Sequence, residues 1–421
     1  MLKKLILENW KSFRYAELPL DPLTVLIGTN ASGKSNVVEA LEFLQRIANG
    51  ENIETALAGD KTLPAIRGGV EWAARKGENE FILTIIIEGE YKNQDHTYRI
   101  KIQTNPALNI LLECIDTNTY EPDNQDIINF NYTLQAESSE RKQHKNNEQK
   151  ISEYIEGEPY DVIAFTKGFK SSSLLLFNEN NEPKFQRPHS VVNIVFLSLK
   201  NILTFNPIPS TMRNYSRLSE NLESDASNIA GVLAALPEDK KAEVENTLSE
   251  YIKYLPEGDI KKVWSEPVGR LKTDAMLYCQ EEWKPGEITE IDARSMSDGT
   301  LRFLAILTAL LTRPEGSQIV IEEIDNGLHP SRAALLVKIL KEIGSKRNID
   351  ILLTTHNPAL LDAFGSEIVP FVVVAHRDSE TGESKLTLLE DIENFPKLFA
   401  SYSLGQMTTK GAIERSLSHG A

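Results

Sequence analysis

The stretch Leu23-Thr-Val-Leu-Ile-Gly28-Thr29-Asn30-Ala31-Ser32-Gly33-Lys34-Ser35-Asn36 decides how the chain is read. An apolar run ends at Ile27, a loop bounded by Gly28 and Gly33 follows, and a helical pattern begins after it. This is G-x-x-x-x-G-K-[ST] between a strand and a helix, the context in which the motif cradles phosphate. The two glycines let the backbone turn tightly, so that the N–H groups of the loop, from Asn30 through Ala31 and Ser32 to Gly33, can point inward at phosphate oxygens. The helix N-terminus at Lys34, Ser35 and Asn36 adds partial positive charge. Lys34 is expected to reach the β- and γ-phosphates of ATP, and the Ser35 hydroxyl to bind Mg2+.

Around this loop the chain is long enough, at 421 residues, for roughly two to three domains, or for one with a large insertion. Its 41% hydrophobic and 25% charged residues are an ordinary globular composition. With 45 basic and 61 acidic residues the net charge is −16. Such a chain has no global attraction to nucleic acid, which would need a local basic surface or a concave face formed on oligomerisation. Cys114 and Cys279 lie far apart, fit no metal spacing and read as reduced thiols of a cytoplasmic protein. No stretch approaches the ~20 apolar residues of a membrane span. The apolar run at the N-terminus is too short for a signal peptide.

Residues 2–9, 15–20 and 23–27 read as strands, and Val37, Val38, Ala40, Leu41, Leu44, Ile47 and Ala48 mark one face of a helix ended by Asn49-Gly50. From residue 51 to 289 the pattern changes. Strands are expected at 81–88 and 98–103, a short apolar run at 108–114, and a polar loop or hairpin tip at 136–150. A buried helix over 191–203, helices over 228–236 and 238–254, and strands at 260–268, 275–282 and 288–293 follow. From 290 to 421 helices and strands alternate: helix 301–311, strand 318–321, helix 331–343, strand 349–353, helix 358–363 and strand 368–374. Such alternation implies a largely parallel sheet with helices on its faces. The expected domains are residues 1–50 and 290–421, two parts of one head, with 51–289 a compact inserted lobe of strands and then helices.

Three later stretches carry chemistry. Gln318-Ile-Val-Ile-Glu322-Glu323 is an apolar strand ending in two carboxylates. Glu322 is assigned to the metal and Glu323 to orienting and deprotonating the attacking water. Ser297-Asp298-Gly299 opens a long apolar helix. Ser297 and Gly299 there are either an anion site or a plain helix cap. His356, in Thr354-Thr355-His356-Asn357-Pro358, follows a strand and can hydrogen-bond a γ-phosphate or the attacking water; a surface loop histidine is the other reading.

In this order the stretches resemble the ATP-binding cassette ATPases of the RecF and structural-maintenance-of-chromosomes (SMC) class. Within it the chain is most similar to the ATPase part of the overcoming-lysogenization-defect family and related bacterial phage-defence ATPases. Asn9-Trp-Lys11-Ser12-Phe13 resembles that class's N-terminal motif, whose basic and hydroxyl residues approach the nucleotide; this brings Lys11 and Ser12 into the site. Gly28 to Ser35 matches the Walker A loop, Met296 to Thr300 the signature, Ile319 to Glu323 the Walker B strand, and His356 the switch histidine. Glu323-Ile-Asp325-Asn326-Gly-Leu-His-Pro330 resembles the following D-loop region, and Tyr402-Ser-Leu-Gly405 the tails of the compact members. Glu322 stands where aspartate is usual, and Asp298 and Thr300 stand where glycine and glutamine are usual. No clear glutamine-loop motif is visible, and Arg67-Gly-Gly69 is the stretch assigned to that region.

The resemblance implies an α/β P-loop NTPase of ABC/SMC-like type, with a mixed sheet core and a large inserted α+β lobe. It implies a head-to-tail homodimer or higher oligomer in which ATP lies between the Walker A loop of one subunit and Ser297 and Gly299 of the other. Glu323 and His356 would then hydrolyse ATP and release the dimer. The expected function is a switch controlling a separate effector, a nuclease or toxin, in phage defence, with nucleic acid a further candidate partner. A RecF-like repair ATPase and a non-hydrolysing ATP-dependent scaffold are the alternatives. Residues 375–421 are too few for the nuclease domain that overcoming-lysogenization-defect proteins carry, so no nuclease activity is expected of this chain.

Overall fold

The computed structural model describes residues 1–91, 93–119, 128–134, 149–155, 158–164, 191–255, 259–327 and 329–419. In chain order the elements are β1 (Leu2–Trp10), β2 (Phe13–Pro19), β3 (Leu23–Ile27), α1 (Lys34–Ala48), α2 (Ile53–Ala58), β4 (Glu80–Glu88), β5 (Gln94–Gln103), β6 (Asn109–Thr119), β7 (Ile128–Leu134), β8 (Gln149–Ile155), β9 (Glu158–Ala164), α3 (Val191–Lys200), β10 (Ile202–Phe205), α4 (Pro209–Met212), β11 (Ser216–Arg217), α5 (Ile229–Ala235), α6 (Glu238–Ile252), β12 (Ile260–Val268), β13 (Asp274–Lys284), β14 (Glu287–Asp292), α7 (Asp298–Thr312), β15 (Gln318–Ile321), α8 (Ala333–Lys346), β16 (Asp350–Thr354), α9 (Pro358–Phe364), β17 (Val372–Arg377), β18 (Ser384–Leu388), α10 (Phe395–Ser401), α11 (Leu404–Thr409) and α12 (Ala412–His419).

Contacts divide the chain into two units: 1–21, 28–202 and 373–387 form one, and 22–27, 203–372 and 388–421 the other. Residues 51–289 therefore contribute to both. The first unit is built on an antiparallel sheet ordered β2-β1-β4-β5-β6-β7-β8-β9. Strict alternation in β5 sends His96, Tyr98, Ile100 and Ile102 inward, the period-two pattern of a half-buried strand. Helix α1 buries Val37, Ala40, Leu41, Leu44 and Ile47, a 3.6-residue stripe. Trp10 meets Phe81 edge-on with centroids 4.9 Å apart, and Phe43 of α1 completes the cluster. The Trp10 indole N–H donates to the Asn36 carbonyl at 2.7 Å, tying β1 to the first turn of α1.

In the second unit β10, β15, β16 and β3 are neighbours in that order. β15, β16 and β3 run parallel, with Ile321 opposite Leu353 and Leu353 opposite Val25. Every residue of β15 and β16 is buried, as expected of a parallel sheet covered on both faces. Their C-terminal ends carry Glu322-Glu323 and Thr355-His356, the edge where α/β sheets place ligands. A second sheet, antiparallel, joins β11, β13 and β12, with β14 also on β13. Helix α6 covers the β12 edge: Ser249 Oγ accepts from the Val263 N–H at 3.0 Å, and Glu245 Oε1 from the Ser265 N–H at 2.9 Å.

Several local expectations change. The helix expected over 191–203 ends at Lys200, and Ile202 and Leu203 lie in β10. Apolarity alone does not separate a buried helix end from a buried strand. The strand expected over 368–374 starts only at Val372, because 3-10 helix Ser366–Phe371 precedes it with Pro370 inside. Proline has no N–H to give a ladder. A 3-10 turn, Pro330–Arg332, also delays α8 to Ala333. The apolar run at 108–114 is the first half of β6, and β5 begins four residues before the expected start. Of the polar stretch 136–150, residues 136–148 lie outside the described residues and 149–150 open β8. Among the described residues no helix is long and apolar enough to cross a membrane.

Candidate functional site

The phosphate loop belongs to the first unit. Gly28 has φ +141°, and a Cβ there would lie 2.1 Å from the Ala375 carbonyl oxygen. Gly33 has φ +113°, and its Cβ would lie 2.8 Å from Phe13 Cζ and 2.9 Å from Ser384 Oγ. Both positions thus require glycine for conformation and for space. Ala31 also has a positive φ, +63°, and its carbonyl accepts from Arg377 Nε at 2.9 Å. Lys34 Nζ donates to the carbonyls of Gly28 at 2.6 Å and Thr29 at 2.9 Å, so the ammonium lies along the loop. Ser32 Oγ is buried and has no hydrogen-bond partner among the described residues. Asn30 is exposed in the loop, and Ser35 opens α1 beside Lys34. A glycine-walled loop, an ammonium aimed along it and an orphaned hydroxyl fit a polyphosphate chain.

Lys11 and Ser12 lie in the turn after β1, and both are engaged within the protein. The buried Lys11 ammonium pairs with the Glu39 carboxylate and donates to the Arg67 carbonyl at 2.8 Å. Burial pulls its pKa down, partly offset by Glu39. The other Glu39 oxygen takes Arg67 Nε at 2.5 Å. Ser12 Oγ accepts from Asn36 Nδ2 and from Ser384 Oγ, each at 2.7 Å. Asn36 therefore braces the β1 turn with its side chain.

The remaining candidates belong to the second unit. Glu322 and Glu323 follow β15, the first half-buried and the second exposed. Glu323 has φ +47°, and its N–H donates to Thr354 Oγ1 at 2.8 Å. A glutamate with positive φ is strained, and such strain persists where surrounding structure fixes it. Here Thr354, fully buried at the end of β16, does the fixing. Two residues on, His356 is exposed. Its turn is held by Thr355 Oγ1, which donates to Asp325 Oδ1 at 2.5 Å and accepts from the Asn357 N–H at 3.0 Å.

Ser297 is the N-cap of α7: its oxygen accepts from the Thr300 N–H at 3.2 Å, and its hydroxyl donates to Thr300 Oγ1 at 2.8 Å. This explains threonine at position 300. Asp298 pairs with Arg213 at 2.6 Å, and the same guanidinium holds the Met296 carbonyl at 2.8 Å. The carboxylate in the signature is thereby neutralised by a side chain and does not reach a backbone amine. Gly299 lies close to Arg332, and a Cβ there would lie 2.7 Å from Arg332 Nη1, so that the guanidinium would have to shift to make room.

Sequence reasoning missed Arg213, Arg302, Arg332, Thr354, Arg377 and Ser384. Arg302, on α7, feels both Asp298 and Glu323, and burial lowers its pKa from the usual guanidinium value. Thr354 was visible as a hydroxyl beside a candidate motif. Arg302 stands four residues after Asp298 on the same helix, a local spacing that could have pointed to it. Arg213, Arg332, Arg377 and Ser384 carry no local signal, because their partners lie tens to hundreds of residues away in sequence.

A family model described as “AAA domain, putative AbiEii toxin, Type IV TA system” matches residues 23–362. No curated protein matches the chain in sequence. Among solved structures, the SMC head bound to the C-terminal winged-helix domain of ScpA is similar at TM-score 0.52 and 14% identity, over 92% of this chain and 97% of that one. The Pyrococcus furiosus SMC head with an extended coiled coil, bound to the C-terminal domain of ScpA, is similar at TM-score 0.50 and 12% identity, over 95% and 99%. The fold is that of an SMC-head-like P-loop NTPase, mixed α/β with several sheets.

Proposed function

Because the chain belongs to the AAA-domain family whose model spans its residues 23–362, we propose that it is an ATP-binding and ATP-hydrolysing switch that controls a separate effector. The observation that carries this reading is Glu323, held at a strained positive φ by a buried threonine two residues before an exposed histidine. Structures retain strain of this kind at functional sites. Lys34 would leave the Gly28 and Thr29 carbonyls to meet phosphate; Ser35 in the first unit and Glu322 in the second are each candidate metal ligands. Mg2+, when bound with the nucleotide, neutralises phosphate charge. Glu323 orients the attacking water and accepts its proton, and His356 hydrogen-bonds at the γ-phosphate.

The head-to-tail dimer is part of the same proposal. Ser297 and Gly299 would complete the partner subunit's site, with the α7 N-terminus directed at phosphate. The family description names a toxin of a type IV toxin–antitoxin system, and phage defence is the setting we propose. Steady-state ATP hydrolysis by the purified chain, with Glu323→Gln as the blank, tests the reading. Turnover that the substitution removes supports it, and turnover equal to the blank overturns hydrolysis. A rise with duplex DNA would shift the balance to a RecF-like role. Indifference to DNA would point to a protein trigger.

A further inference from the structure

We infer that the C-terminal segment 403–409 is a positioning element for His356, acting through α9 by way of Gly405 and Asp362. This rests on the catalytic assignment of His356 made above.

Helix α9 begins at Pro358, immediately after His356-Asn357, and Asn357 caps it by accepting from the Ala359 N–H at 2.9 Å. Whatever fixes the start of α9 therefore fixes the turn that carries the imidazole. From the Asp325 side the turn is held through Thr355. From the other side it is held by the tail. Helix α11 starts at a complete capping box between Ser403 and Gln406. Its second residue, Gly405, lies directly on α9. A Cβ at Gly405 would sit 2.3 Å from the Pro358 carbonyl oxygen and 2.7 Å from Asp362 Oδ2. The Gly405 N–H donates to Asp362 Oδ1 at 2.7 Å. That N–H is one of the first-turn donors a helix cannot satisfy internally, and a carboxylate there is favoured by the dipole as well.

Nothing in the backbone conformation of Gly405 demands glycine, since its φ is not positive. The requirement is space alone, against the carbonyl two residues beyond His356. An added methyl must push tail and helix apart by about 1 Å to reach ordinary contact, and displacement of that size is enough to lower the rate of a positioned catalytic group on the order of a hundredfold. The stretch Tyr402-Ser-Leu-Gly405 thereby acquires a role in the same unit as His356.

The test uses the full chain with Gly405→Ala, Asp362→Ala and Asp362→Asn. Gly405→Ala and Asp362→Ala should each lower kcat for ATP about tenfold or more, with KM changed less than about threefold. Asp362→Asn, which keeps an oxygen acceptor, should stay near the wild-type rate. Independently of turnover, the imidazole proton resonance of His356, assigned with His356→Gln, should shift in the first two variants and hold its position in Asp362→Asn. Thermal unfolding separates repositioning from loss of fold, and Asp362→Ala adds no bulk, so it carries the test if Gly405→Ala does not fold. Wild-type kcat together with an unmoved His356 resonance in both disruptive variants overturns the inference while leaving the ATPase reading intact. No turnover in the wild type itself overturns the ATPase reading instead.

Discussion

At the residue scale, the proposed function gives binding to Lys34 and hydrolysis to Glu323. The ammonium that spans the Gly28 and Thr29 carbonyls is the only cation the loop's own motif supplies. Replacing it should leave the loop backbone intact and its anion attraction lost. Lys34→Ala is expected to abolish ATP binding in a calorimetric titration, and unchanged affinity would remove the phosphate-loop assignment. At Glu323 the positive φ of +47° costs stability that any side chain with a Cβ must bear. Glu323→Gly should raise the unfolding free energy by about 1 kcal/mol, after the greater entropy of glycine in the unfolded chain is subtracted, and should end hydrolysis. A denaturant midpoint that falls on this substitution would contradict the strain account. Both residues were legible in the sequence. That one of them is strained was not, because φ is set by the bond from its N–H to Thr354.

At the element scale, sheet edges and faces decide stability. The β12 edge is closed by α6, with Ser249 and Glu245 taking the Val263 and Ser265 N–H groups. Ser249→Ala leaves a buried donor unpaired and should cost about 1–3 kcal/mol, read as a lower urea midpoint at unchanged slope. On β5, His96 is 1% exposed and hydrogen-bonds Thr117 through Nδ1 at 2.9 Å. Burial holds its pKa below the ordinary histidine value. The unfolded chain therefore binds the proton first, and stability falls as pH drops below about 6.5 towards the folded-state value. His96→Gln should flatten that limb of a stability-against-pH curve, and an unchanged curve would mean that His96 has the same pKa in the folded and unfolded chain, against the burial account. Strands with strict alternation, such as β5, were readable almost in full. The ends of α3 and β17 were not, because the choice there depended on a neighbouring strand and on Pro370.

At the scale of the whole molecule, the proposed switch is a change of assembly. With hydrolysis blocked and binding intact, Glu323→Gln plus ATP should double the mass measured by light scattering, and the same variant without ATP should not. A single-chain mass with ATP bound would remove the head-to-tail model. The sequence by itself determined the nucleotide fold and the order of its motifs, because a phosphate loop, a carboxylate-ended strand and a helix cap are local patterns whose chemistry follows from spacing along the backbone. Only the tertiary structure decided how those motifs are held. Ser384 reaches Ser12, Glu383 takes both Arg14 and Arg75, Arg213 neutralises Asp298, and Gly405 seats against Pro358. Each of these joins residues that are far apart in sequence, and a contact made by chain closure leaves no periodic trace in the sequence it joins.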